Sequence, residues 1–257
     1  MISVTIIGYG NVGSHLVKAI YGSAYAKITQ VYSRSAFSLP HTMDHIACIN
    51  SFDDLAEADC YIIAVPDDHI KHVSAQLPFT DKLVVHTSGS VSMDVLDPKN
   101  RQGVFYPLQT FSKNKDVDFK EIPICIEAAQ ADDLELLNKL GASISEKVSK
   151  ITSDERAKMH VAAVFVNNFV NHLYHISEEI MEEHNLDFSL LKPLIKETAS
   201  KIETLSAKQA QTGPAKRNDL QTIKRHTNQL TDDTQKDIYS LLTKAIKETH
   251  TTNERKL

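Results

Sequence analysis

The chain has 257 residues, 42% of them apolar and 24% charged, with 28 Lys+Arg against 33 Asp+Glu. That supplies enough apolar material for one large domain or two modest ones, and excludes disorder as a description of the whole. The net charge of −5, with no Lys/Arg-rich run, argues against nucleic acid or an anionic membrane surface as a partner. Cys48, Cys60 and Cys125 show no C-x-x-C spacing, so neither a disulfide framework nor a metal site is expected and a reducing compartment is the default. A glycine-rich turn arrives too early, at Gly8, for a secretory signal. The uncharged stretch Met159–Ser177 holds three His and three Asn, which makes it a poor membrane span. The expectation is a soluble, cytoplasmic protein.

The first apolar run, Ile2–Ile7, predicts a strand and leads into Gly8-Tyr9-Gly10-Asn11-Val12-Gly13, after which Val12–Tyr21 reads as a helix. A G-x-G-x-x-G motif carries weight only in this strand–turn–helix context. Gly8 suits the tight turn, Gly10 lets backbone approach a pyrophosphate, Gly13 allows close helix–strand packing, and the helix N-terminus offers amide donors. The six residues are candidates for binding a dinucleotide. An adenosyl cofactor would use a similar first turn.

The second predicted strand, Ile28–Tyr32, helps to separate these readings. An NAD-binding chain usually carries an acidic residue at its end, for the ribose hydroxyls. Here no acidic residue occurs before Asp44, and the strand runs instead into Ser33-Arg34-Ser35. A guanidinium between two hydroxyls suits a 2′-phosphate, which predicts NADP rather than NAD.

Further along, Asp53–Ala58, Asp68–Gln76 and Asp132–Leu140 read as helices, and Tyr61–Val65, Leu83–His86, Gly103–Tyr106 and Ile122–Ile126 as strands. This alternation predicts an α/β N-terminal domain with a mostly parallel sheet. Ligands of such sheets collect beyond the carboxyl ends of strands. Val65 and Pro66, His86 and Ser88, and Gln109 beyond Pro107 fall at such ends. Each cysteine lies in or beside a predicted strand and reads as a core residue.

Seven of the eight glycines lie at or before Gly141, and the pattern after about residue 150 is almost wholly helical. We therefore expect an α/β domain over 1–150 and an all-α domain over 151–257. Thr152 and Glu155 have capping-box spacing, which starts a helix predicted to run to about Glu183, roughly 45 Å long. At 100° per residue, Val161, Ala162, Phe165, Val166, Phe169, Leu173, Ile176 and Ile180 share a broad apolar face. Arg156, His160, Asn167, Asn171, Tyr174 and Glu178 line the other side, and the uncharged hydrogen-bonding groups suit a cleft or an interface better than open solvent. A later break, Thr212–Asp219, presents Arg217, an arginine able to grip a substrate carboxylate.

Taken together, Gly8–Gly13, Ala64–Asp67, His86–Gly89, Pro107–Phe111, His160–Asn168 and Thr212–Asp219 resemble the Rossmann-like NADP oxidoreductases whose helical C-terminal half is a domain of unknown function. These sit within the broader group of hydroxyisobutyrate dehydrogenase, ketopantoate reductase and pyrroline-5-carboxylate reductase. Tyr106 departs from the pattern, since similar sequences often have His before Pro-Leu-Gln-Thr-Phe. The resemblance implies a Rossmann domain binding NADP(H), a helical domain that forms the substrate pocket and a homodimer, and hydride transfer to or from a small polar carbonyl or imine substrate. His160, Asn167 and Ser88 are the catalytic candidates, with His160 first as proton donor because His titrates nearest neutrality. Gln109 and Arg217 are the substrate-binding candidates. A non-catalytic NADP(H) sensor on the same fold is the alternative.

Overall fold

A computed structural model of the chain describes residues 1–251. The strands are β1 (Ile2–Ile7), β2 (Ala26–Tyr32), β3 (Ala47–Ile49), β4 (Cys60–Ile63), β5 (Leu83–His86), β6 (Arg101–Pro107), β7 (Ile124–Ala128) and β8 (Val148–Lys150). They form one sheet in the order β3-β2-β1-β4-β5-β6-β7-β8, parallel throughout except for the β6–β7 pair. The central strands are buried on both faces, which is why they read as unbroken apolar runs, as in Cys60-Tyr61-Ile62-Ile63 and Leu83-Val84-Val85. Helices α1 (Asn11–Tyr21), α2 (Asp67–Gln76) and α3 (Ala131–Ala142) flank the sheet. α1 buries Leu16, Val17 and Ile20 in the same cluster as Val4, Ile6 and Val31.

Register places the business end of the sheet. Ile7 pairs with both Tyr32 and Ile63, Ile63 with His86, and His86 with Val104. The segments that follow β1, β2, β4, β5 and β6 therefore emerge along one edge. The order reverses between β1 and β4, whose neighbours run outward in opposite directions, and this is where an open parallel sheet leaves a crevice.

Contacts divide the chain into two compact units, residues 1–168 and 169–257. The first includes α4 (Ser153–Val164), which starts at the Thr152–Glu155 capping box, with the Glu155 carboxylate accepting from the Thr152 amide at 2.9 Å. A π-helical turn, Phe165–Phe169, follows, then α5 (Val170–Glu183), α6 (Lys192–Lys201), α7 (Ala207–Ala210), α8 (Leu220–Gln229) and α9 (Asp233–Thr251). The π turn breaks the steady 100° advance assumed for one long α-helix, so the predicted faces do not continue in phase beyond it. In the second unit only Ala215 and Gln235 are buried among the described residues, while Leu190, Leu194, Leu220 and Leu241 are each more than 60% exposed.

Two local expectations fail for identifiable reasons. Asp53–Ala58 is no helix beyond a single 3₁₀ turn at Phe52–Asp54. The buried Gln30 side chain donates to the Asp54 carbonyl and accepts from the Ala56 amide, and the Tyr61 hydroxyl donates to the Ala56 carbonyl. Those side chains take up the backbone groups that a helix would pair. Among the cysteines, Cys60 and Cys125 are core residues, but Cys48 is exposed, because it sits on the short edge strand β3. No helix of the described residues is long and apolar enough to cross a membrane.

Candidate functional site

The turn after β1 is built by sterics. Gly8 adopts φ +110°, and a Cβ there would stand 2.4 Å from the Ala64 carbonyl oxygen. A Cβ on Gly13 would stand 1.9 Å from the Gly8 oxygen, so α1 packs directly on the turn. Gly10 is different: a Cβ there would meet nothing within 4 Å. Its bareness serves no internal packing and leaves open space at the N-terminus of α1. That terminus has neither a side-chain cap nor an acidic residue in its first turn, so its amides face an anion site unopposed.

A cavity of about 400 Å³ opens there, lined by Gly8, Gly10, Ser33, Arg34, Ser35, Val65 and Pro66. The phosphate-type turn, the guanidinium between two hydroxyls and the end of β4 thus meet in one place. Its opposite wall is His69, His72 and Gln76 from α2. None of the three is among the expected site residues, although their spacing along one helix after a strand's carboxyl end is a signal the sequence carries. Tyr9 packs on Phe37, with ring centroids 4.7 Å apart, and lines no described cavity.

A second cavity, of about 710 Å³, is lined by Asn11 and Val12 from α1, Tyr106, Gln109 and Phe111 around the end of β6, and His160 and Asn167 from α4 and the π turn. The fit to a dinucleotide is thus carried by the open space at Gly10 and by cavities on either side of it. The His160 ring meets Tyr106 edge-on, with Nδ1 3.2 Å from the phenolic oxygen. Gly89 lies against both rings: a Cβ on it would fall 2.4 Å from His160 Nδ1 and 2.8 Å from Tyr106 Cζ. Burial pushes the Tyr106 hydroxyl up to about 12, so it stays protonated.

His86 and Ser88 do not stand in either cavity wall, contrary to expectation. His86 is fully buried, its Nδ1 accepting from the Ser88 amide at 3.1 Å and its Nε2 lying 3.3 Å from the Ser92 carbonyl. Burial, reinforced by the nearby Arg156, lowers its pKa to about 4 and keeps it neutral. The Ser88 oxygen accepts from the amides of Ser90 and Val91. Both residues shape the loop after β5, which brings Gly89 against His160.

The first turn of α4 is locked in turn. Arg156 is fully buried, and its Nη1 donates to Glu127 at 2.7 Å. Glu127 also accepts from the Ser153 amide and hydroxyl, while Arg156 Nη2 donates to the Val91 carbonyl. β7, the loop after β5 and α4 are thereby fastened together one turn before His160. Arg217 lies exposed in the Gly213–Asp219 turn of the second unit.

Comparison with known proteins agrees with this architecture. Residues 1–111 match a Rossmann-like domain, and residues 122–246 match a domain of unknown function, DUF2520. A crystal structure of a candidate NADP oxidoreductase from Bacteroides fragilis is 37% identical with a TM-score of 0.87, covering 96% of this chain and 98% of that one. A protein from Thermotoga maritima is 22% identical with a TM-score of 0.74, covering 98% and 99%. Pyrroline carboxylate reductase from Plasmodium falciparum, solved with NADP bound, shares the fold at 16% identity and a TM-score of 0.59, covering 97% and 98%. A search of curated protein sequences finds no match.

Proposed function

Because the chain carries a Rossmann-like and a DUF2520 domain and belongs to the family of the Bacteroides fragilis candidate NADP oxidoreductase, we propose that it binds NADP(H) across the β1–β4 crevice and reduces or oxidises a small polar carbonyl or imine compound. The single observation that carries this reading is the cavity uniting Gly8, Gly10, Ser33, Arg34 and Ser35. The Gly8–Gly13 turn and the α1 amides would hold the pyrophosphate, Arg34 with its two serines the 2′-phosphate, and Val65 and Pro66 the adenosine.

The bound cofactor supplies the hydride. The chain's own residues do the rest around the second cavity. His160 provides the proton that a reduced C=O or C=N must gain, and Asn167 and Gln109 hold the reacting polar atom by neutral hydrogen bonds. Apolar neighbours such as Val12, Leu108 and Met159 keep water from that atom.

Two copies pair through the helical unit in this proposal. A helical array that leaves Leu190, Leu194, Leu220 and Leu241 exposed while burying only Ala215 and Gln235 lacks a core of its own, and a second copy supplies the missing cover. Light scattering should give twice the chain mass at micromolar concentration; a monomer would refute the pairing.

The test of the cofactor assignment is a titration of wild type and Arg34→Ala with NADPH and NADH. NADPH should bind wild type more tightly, and the variant should lose about 1.5–3 kcal/mol towards NADPH alone. Equal wild-type affinities would overturn it. Cofactor binding without turnover across a panel of aldehydes, keto acids and cyclic imines would instead indicate an NADP(H) sensor.

A further inference from the structure

We infer that Tyr106 is the positioning residue for His160, fixing which imidazole nitrogen carries the proton. The inference rests on the reading of His160 as the proton-donating group, and deepens it.

Tyr106 lies near the carboxyl end of β6 on the same face as Val104, because side chains alternate along a strand. Its ring is buried among Val104, Cys125 and Met159. Only the hydroxyl reaches a polar group, and among the described residues His160 Nδ1, 3.2 Å away, is its sole partner. A buried hydroxyl that finds no acceptor costs about 1–3 kcal/mol. With Nδ1 as its one acceptor among the described residues, we assign the phenolic proton to that nitrogen.

That assignment sets the imidazole tautomer. A neutral ring has one donor and one acceptor nitrogen. With Nδ1 accepting from Tyr106, the hydrogen resides on Nε2, which has no hydrogen-bond partner among the described residues, while the ring itself forms part of the second cavity's wall. Gly89 supports the geometry from the other side, since its missing side chain lets the loop after β5 press on both rings. The ring is thus held in one orientation with its Nε2–H available to a substrate oxygen or nitrogen. As that proton leaves, the Tyr106 hydroxyl passes its own to Nδ1, so the imidazole stays neutral with its hydrogen moved to Nδ1, and the phenolic oxygen regains a proton from solvent through the cavity. Phenylalanine at 106 would fill the same space and hold nothing.

Long-range proton–nitrogen spectra of histidine-labelled protein test this directly, with His160→Gln identifying the resonance. Wild type should show a bare Nδ1 and a protonated Nε2 at His160, and Tyr106→Phe should show a mixture of the two tautomers. A protonated Nδ1 in wild type, or an unchanged spectrum in Tyr106→Phe, would overturn the inference whether or not a substrate is known. With a panel compound that wild type turns over, Tyr106→Phe should lower kcat by about 10²-fold and leave NADPH affinity unchanged. The loss should vanish in the His160→Ala background, because a positioning residue acts only through its partner. Additive losses would also overturn the inference, whereas an undiminished kcat in His160→Ala would instead remove the underlying reading of His160.

Discussion

The guanidinium of Arg156 and the carboxylate of Glu127 form an ion pair, 2.7 Å from nitrogen to oxygen, with the arginine almost wholly withdrawn from solvent. It joins residues 29 positions apart and determines where α4 begins relative to the sheet. Glu127→Ala would leave a buried cation without its counter-charge. The expected cost is about 3–5 kcal/mol, read as a lower urea midpoint. A variant as stable as wild type would show that the pair is solvated in solution.

His86 makes stability depend on pH. Its native pKa is lowered from 6.5 to about 4, chiefly by burial, so the unfolded state binds a proton more readily than the native one. The stabilisation is complete above pH 6.5 and is lost as pH falls from there towards 4. Between pH 7 and 5 the site should account for about 2 kcal/mol of lost stability. Urea unfolding of His86→Gln at the two pH values should show a smaller loss than wild type; identical losses would refute the assignment.

The glycines of the first turn should separate folding from binding. Gly10 has φ −82° and an empty neighbourhood, so Gly10→Ala should melt like wild type. Its new methyl would occupy the space where backbone and pyrophosphate approach, lowering NADPH affinity about tenfold or more, each tenfold being 1.4 kcal/mol. Gly8→Ala and Gly13→Ala should lose stability outright, because each places a Cβ within 2.4 Å of backbone oxygen. Unaltered NADPH affinity in Gly10→Ala would move the pyrophosphate elsewhere.

His160→Ala should reduce turnover by roughly 10²–10⁴-fold at unchanged NADPH affinity, the range expected for loss of a general acid. Retained turnover would make His160 a packing residue against Gly89 and Tyr106, and would direct attention to Asn167 and Gln109.

Much of the sheet could be read from the sequence because its central strands are buried on both faces and carry unbroken apolar runs. β3 and β8 escaped notice: each has three residues and stands at a sheet edge, so neither needs such a run. The Gly8–Gly13 turn was legible because steric demands at Gly8 and Gly13 leave only one residue type. Arg34 was legible from its neighbours. The Tyr106–His160 contact was not, since 54 residues separate the partners and neither belongs to a motif that names the other. His86 and Ser88 were misplaced for a related reason. A polar residue at a strand's carboxyl end can face the crevice or brace the loop behind it, and only the amide of Ser88 pointing at His86 Nδ1 decides which.

The distribution of thiols has a practical consequence. Burial holds the Cys125 thiol up at about 11 and that of Cys60 higher still, so neither readily forms the thiolate that alkylating reagents attack. Partial burial raises the Cys48 thiol too, but it is the exposed one of the three and the one a reagent reaches, and the next residue, Ile49, accepts the backbone hydrogen bond of Ser33. A maleimide dye should therefore label the native chain once, beside the proposed 2′-phosphate end of the crevice. Its emission would report arrival of the dinucleotide without any engineered cysteine.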